Sequence, residues 1–105
     1  MEKIIFNQVR NQNFYTAHTK TNYNNIFTNG VILKSYNTIV GFVNIDDGVL
    51  YRVRYTHTTG KQITQYAYNY DIKKEYYTTA EKLHDIILNY TGFDLNTEYN
   101  GAIAL

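Results

Sequence analysis

The chain has no cysteine and no tryptophan, one methionine and six glycines in 105 residues. Without thiols it can hold neither a disulfide framework nor a thiolate zinc site. The glycines are scattered, and none sits in a phosphate-binding loop of the kind that cradles nucleotides. Long apolar runs are also missing. The longest, such as Val31-Ile32-Leu33 and Ile86-Ile87-Leu88, fall far short of a membrane span. The first residues, Met-Glu-Lys-Ile-Ile-Phe, lack the apolar region of a signal peptide, so a cytoplasmic location is expected.

Catalytic ingredients are scarce as well. Ser35 is the one serine, without the glycine-flanked elbow that activates a nucleophile. The three histidines, at 18, 57 and 84, are spread over different segments. His84 and Asp85 are adjacent, which on a helix separates them by about 100° rather than making them converge. Asp46-Asp47 sit before Gly48, where turn chemistry accounts for them. No enzyme activity, metal or cofactor is expected.

What the chain has in quantity is tyrosine: 12, with 5 phenylalanines and 44% hydrophobic residues overall. That supports one small core, with Tyr supplying contact area at its edge or in an interface. The net charge of +1 conceals a division. Residues 51–74 carry Arg52, Arg54, Lys61, Lys73 and Lys74 against Asp71 alone. Residues 75–105 carry Lys82 against Glu75, Glu81, Asp85, Asp94 and Glu98. The two blocks either face each other and solvent, or form a basic face that meets an acidic partner.

Along the chain, a short helix is expected over 2–14 and an edge strand with a loop over 14–28. Asn29-Gly30 reads as a turn before the apolar run at 31–33. The β-rich stretches 38–45 and 49–55 flank Asp46-Asp47-Gly48 and make a hairpin. Within the second, Tyr51, Val53 and Tyr55 alternate with Arg52 and Arg54, as in a half-buried strand. Residues 62–77 fit a helical face (Ile63, Tyr66, Ala67, Tyr70, Tyr77) capped by Thr59, but Tyr66, Tyr68, Tyr70 and Ile72 also alternate as in a strand. The helix is preferred. Thr78-Thr79-Ala80-Glu81 reads as a capping box for a last helix with Leu83, Ile86, Ile87 and Tyr90 buried and Gly92 ending it. The tail 93–105 is expected to be extended, with 102–105 pairing to the sheet. The expected fold is a single α+β domain: a small antiparallel sheet of three to four strands against two or three helices.

The segment Ile32-Leu33-Lys34-Ser35-Tyr36-Asn37-Thr38-Ile39-Val40-Gly41-Phe42, then Asp46-Asp47-Gly48-Val49-Leu50-Tyr51 and Tyr55-Thr56-His57-Thr58-Thr59-Gly60-Lys61-Gln62, resembles a group of short phage and prophage proteins of Gram-positive bacteria. They share a pattern SYxTxVA…DGxLY…YSxTTSKH. The likeness covers roughly residues 31–66; Gly41 stands where Ala is usual, and Gly60-Lys61-Gln62 departs from Ser-Lys-His. Heavy use of Asn, Thr, Tyr, Ile and Lys fits the AT-rich coding such a source implies. The resemblance implies a mobile-element accessory protein that binds and disables a host defence protein, with anti-CRISPR inhibition of a Cas9-type nuclease and its guide RNA ranked first. With 9 acidic against 10 basic residues, global mimicry of DNA is excluded.

Tyr and Arg are the residue types enriched at binding hot spots. The expected interface is therefore Arg52, Arg54 and Lys61 with Tyr55, extended by Tyr66, Tyr68, Tyr70, Lys73 and Lys74. Two alternatives stand beside it. One is a small nucleic-acid-binding module using the basic stripe of Arg52, Arg54, His57 and Lys61 beside Tyr51 and Tyr55. The other is a homo-oligomer formed through the Tyr-rich segment 66–77.

Overall fold

A computed structural model describes residues 5–10 and 12–95, together with the backbone of 102–103. The strands are β1 (Asn7–Gln8), β2 (Phe14–Tyr23), β3 (Ile26–Ser35), β4 (Thr38–Asn44), β5 (Val49–Val53), β6 (Lys74–Thr78) and β7 (Ala102–Ile103). Two helices, α1 (His57–Ala67) and α2 (Ala80–Thr91), follow β5 and β6. The class is α+β as expected, but the sheet is larger than three to four strands. It runs β1-β2-β3-β4-β5-β6, and β7 pairs with β4.

The first five strands form an antiparallel meander. β6 then returns parallel to β5, and β7 runs parallel to the start of β4. Register ties the sheet into rows. Ala17, Ile32, Phe42, Tyr51 and Tyr76 are successive partners across β2–β6, and Thr16, Leu33, Gly41, Arg52 and Tyr77 make the neighbouring row. Neighbouring rows point to opposite faces. The first row meets α2, where Tyr90 packs against Phe42 and Tyr51. The other face meets α1: the Tyr66 ring tilts against Phe14, and Ser35 Oγ and Thr59 Oγ1 lie 2.9 Å apart.

This two-sided cover explains why β3 and β4 carry continuous apolar runs. A strand with helices on both faces has no wet side, so alternation disappears. Val31, Ile32, Leu33, Ile39, Val40, Phe42 and Val43 are all fully buried. Phe14, Leu50, Ile63, Leu83 and Ile87 complete the centre of the core.

Several local expectations change. Residues 5–10 and 12–14 are not helical; Asn7–Gln8 pairs with β2, which makes β2 an inner strand and not an edge. The weak apolar spacing there lost to strand pairing. Asn29-Gly30 lies within β3 and is not a turn. Gly30 is required because a Cβ there would sit 2.6 Å from the Phe42 ring. The turn is Asn24-Asn25, both with positive φ (52° and 63°), the backbone a tight two-residue hairpin demands.

Residues 62–77 are both helix and strand: α1 ends at Ala67 and β6 begins at Lys74. The cap of α1 is Thr56, whose side chain accepts from Thr59 N–H, and not Thr59, which is buried beside Ser35. In α2 the cap is Thr79, accepting from Lys82 N–H, one residue later than the capping box implied. Gly92 ends α2 at φ 78°, with the Tyr23 ring 2.6 Å from where a Cβ would stand. Residues 102–103 do join the sheet, whereas 104–105 lie outside the described residues.

Candidate functional site

β5 and β6 lie side by side and parallel, so their carboxyl ends are at the same edge of the sheet. Each leads directly into a helix, and those helices lie on opposite faces. Both helix N-termini are thereby brought to one place, with a gap between them. Ligands of parallel sheets bind in such a crevice, since the chain diverges there and helix N-termini contribute partial positive charge.

A crevice of 630 Å³ opens at this position. Its wall is Val53, Arg54, Tyr55, Thr56 and His57 from the β5–α1 connection, Gly60, Lys61, Thr64 and Gln65 from α1, with Arg52 and Tyr77 at its base. A second hollow of 410 Å³ shares Val53, Arg54 and Tyr77 and continues to Thr78–Ala80 and Lys82 at the start of α2. Neither is lined by a carboxylate. The first turn of α1 carries no acidic residue either, which leaves its positive end uncompensated.

The two arginines of β5 and its exit do different work. Arg52 is 4% exposed. Its Nη1 donates to Glu75 Oε1 at 2.7 Å and to Thr64 Oγ1 at 2.8 Å, and Nη2 donates to the Gly60 carbonyl at 2.8 Å. It thus fastens α1 and β6 to β5. Arg54 is exposed, and its guanidinium stacks 4.2 Å from the Tyr77 ring centroid. Among the described residues it has no carboxylate partner. Tyr77 thereby biases a charged, solvent-facing group towards one pose.

Of the residues expected at an interface, the structure gathers Arg52, Arg54, Tyr55 and Lys61 around the crevice. Arg52 contributes to its base as a buried anchor and not as a surface cation. Lys73 and Lys74 stand at the opposite end of β6, Lys74 paired with Val49 and Thr78 with Val53. Tyr66 and Tyr70 turn inward, their hydroxyls 3.1 Å apart. Burial, then the Tyr66 hydrogen bond, pushes the Tyr70 hydroxyl pKa up. Only Tyr68 of that trio is exposed. Sequence reasoning missed Tyr77 and Lys82 as crevice residues. The capping threonines, Thr56 and Thr79, were the available signal, because two capped helices after two parallel strands must start together.

Asp46, Asp47, His18 and His84 have structural partners. Asp46 Oδ2 accepts from Asn29 N–H at 3.0 Å and Asp47 Oδ2 from Asn44 Nδ2 at 3.1 Å, as turn residues do. His18 Nε2 lies 3.3 Å from the Tyr66 hydroxyl, and His84 Nε2 faces Asp94 at 3.4 Å instead of its neighbour Asp85. Among the described residues no three His, Asp or Glu side chains gather as metal ligands, and no helix is long and apolar enough to cross a membrane. Comparison with protein-family models, curated proteins and solved structures finds no match to this chain.

Proposed function

We propose that this chain is a non-catalytic binding protein that docks an acidic surface of a partner protein in the crevice at the carboxyl ends of β5 and β6. The observation that carries this reading is the lining: Arg54, His57 and Lys61 with Tyr55 and Tyr77, and no carboxylate among them. Exposed cations without partners raise the on-rate for an acidic partner and favour it over a basic one. An arginine biased by an aromatic ring has less freedom to lose on binding, and Arg is among the residue types that anchor interfaces.

Inhibition of a host defence protein by a mobile-element product, and of a Cas9-type nuclease in particular, is the narrowest form of this reading. It rests on the likeness of residues 31–66 to phage proteins. Titration of a purified Cas9-type nuclease, with and without guide RNA, tests it directly. The expected result is saturable binding that Arg54→Glu with Lys61→Glu abolishes. Equal affinity of that double variant would remove the crevice from the interface.

The crevice also favours a second reading, a single-stranded nucleic acid whose phosphates meet Arg54 and Lys61 and whose bases stack on Tyr55. That reading predicts oligonucleotide affinity falling steeply with salt, because phosphate contacts release counterions. Failure of oligonucleotides to bind at low salt would eliminate it.

A further inference from the structure

β6 is the last strand of the sheet's main path. Among the described residues β5 is its only neighbour, so one side of its backbone is unpaired. Natural edge strands are usually blunted by short length, charged side chains, proline, a bulge or a covering element. Among the described residues β6 has no proline and no bulge, and its two charges, Lys74 and Glu75, leave Tyr76-Tyr77-Thr78 uncharged: the strand pairs with β5 over five consecutive residues without a break. Its first four residues are exposed, Tyr76 at 46% and Tyr77 at 50%.

The parallel ladder fixes which groups face outward. Lys74 N–H donates to the Gly48 carbonyl at 3.2 Å, so Lys74, Tyr76 and Thr78 spend their backbone groups on β5. Glu75 and Tyr77 therefore present their N–H and C=O groups to the open side. A strand added antiparallel must match outward residues with outward residues, which leaves few registers for a second β6. Placing Glu75 opposite Glu75 sets like charges face to face. Placing Tyr77 opposite Tyr77 pushes Lys74 beyond the end of the strand. The remaining register puts Tyr76 opposite Tyr76, Glu75 opposite Tyr77 and Lys74 opposite Thr78. It pairs all five residues, makes no like-charge contact and forms two doubly hydrogen-bonded pairs. Tyr76 then occupies the non-hydrogen-bonded site, where facing side chains are closest.

The second copy also extends the row on the α2 face. Phe42, Tyr90, Tyr51 and Tyr76 already pack ring against ring, Tyr51 to Tyr76 at 5.7 Å between centroids. Tyr76 of the second copy continues that stack across the twofold axis. From this register we infer that two copies of the chain associate through β6, antiparallel about Tyr76, into one continuous sheet. This goes beyond the docking reading and does not rest on it: the pairing uses the side of β6, and the crevice opens at its end and shares Tyr77 with it. The expected homo-oligomer surface within 66–77 accordingly moves to the strand, since Tyr66 and Tyr70 pack inward.

The absence of cysteine makes the test clean. Tyr76→Cys places two thiols directly opposite each other, at a spacing a disulfide spans. Mild oxidation is expected to convert it to a covalent dimer at least tenfold faster than Tyr68→Cys, an exposed control away from β6. Light scattering of the unmodified chain is expected to approach twice 12.3 kDa as concentration rises, and Tyr76→Lys is expected to hold it at the single mass with unchanged circular dichroism. A constant single mass with equal oxidation rates at 76 and 68 would overturn the proposal. So would a dimer that Tyr76→Lys leaves intact.

Discussion

The antiparallel meander β1–β5 and the parallel corner β5-α1-β6-α2 are built from one sheet yet present different chemistry. In the meander each strand turns straight back, so its ends carry turns whose polar groups satisfy one another, as Asp46 and Asp47 do. In the corner each strand runs into a helix, and two helix N-termini with their nearby cations collect at one edge. The meander's side chains stabilise the fold, and the corner leaves charge unspent. Within the corner the same contrast recurs over two residues: Arg52 is spent on α1 and β6, and Arg54 is not.

The largest expected effect lies in the meander. Phe42→Ala removes the ring seated on Gly30 and against Tyr90, and is expected to cost about 3–5 kcal/mol in denaturant unfolding. Binding by the folded fraction should persist. Arg52→Ala comes next, at about 2 kcal/mol, since it strips Glu75, Thr64 and the Gly60 carbonyl of their donor; the Glu75 side chain is 30% exposed, which keeps the loss below that of a fully buried pair. Arg54→Ala is expected to change stability by less than about 0.5 kcal/mol while weakening binding of an acidic partner. If Arg52→Ala and Arg54→Ala gave the same stability loss, the distinction between anchor and free cation would fail.

Capping sharpens the comparison at a smaller scale. Thr56→Ala deprives Thr59 N–H of its acceptor and is expected to cost about 1 kcal/mol, read from thermal unfolding. It should also loosen the crevice wall, lowering affinity for an acidic partner more than Thr79→Ala does.

The smallest effect at neutral pH is that of Tyr51, whose hydroxyl pKa burial and the Tyr90 hydrogen bond push up from 10.0 to about 12. A pKa raised in the folded state means the neutral form is favoured there. The contribution is complete below pH 10 and is lost as pH rises from 10 towards 12. Unfolding free energy measured through that window should fall more steeply than in Tyr51→Phe. Parallel curves would show that the Tyr51 hydroxyl is not protected.

The sequence made the second half of the meander and α2 legible because their signals are local. Asp46-Asp47-Gly48 between β-branched runs, and Leu83, Ile87 and Gly92 at helical spacing, depend on neighbours a few residues away. The face of Arg52 was not legible in that way. Alternation separates it from Tyr51 but cannot tell whether its own side is wet, and α1 and Glu75 arrive only through a crossover and a parallel register. Gly30 misled for a related reason: the dipeptide favours a turn, but the Phe42 ring from the next strand claims the space. Basic residues 51–74 were gathered by sequence position, whereas the fold sends Arg54 and Lys61 to one end of β6 and Lys74 to the other. Thr56 and Thr79 as helix starts carried most of the usable information on the crevice.

The proposed docking requires that Arg54 be free for a partner while Arg52 belongs to the fold. Affinity for an acidic partner and unfolding free energy, measured side by side for Arg52→Ala and Arg54→Ala, test it most directly. The prediction is that Arg54→Ala unfolds like the parent chain and binds at least tenfold more weakly, with Arg52→Ala losing stability first. Parent-like affinity in Arg54→Ala would contradict it.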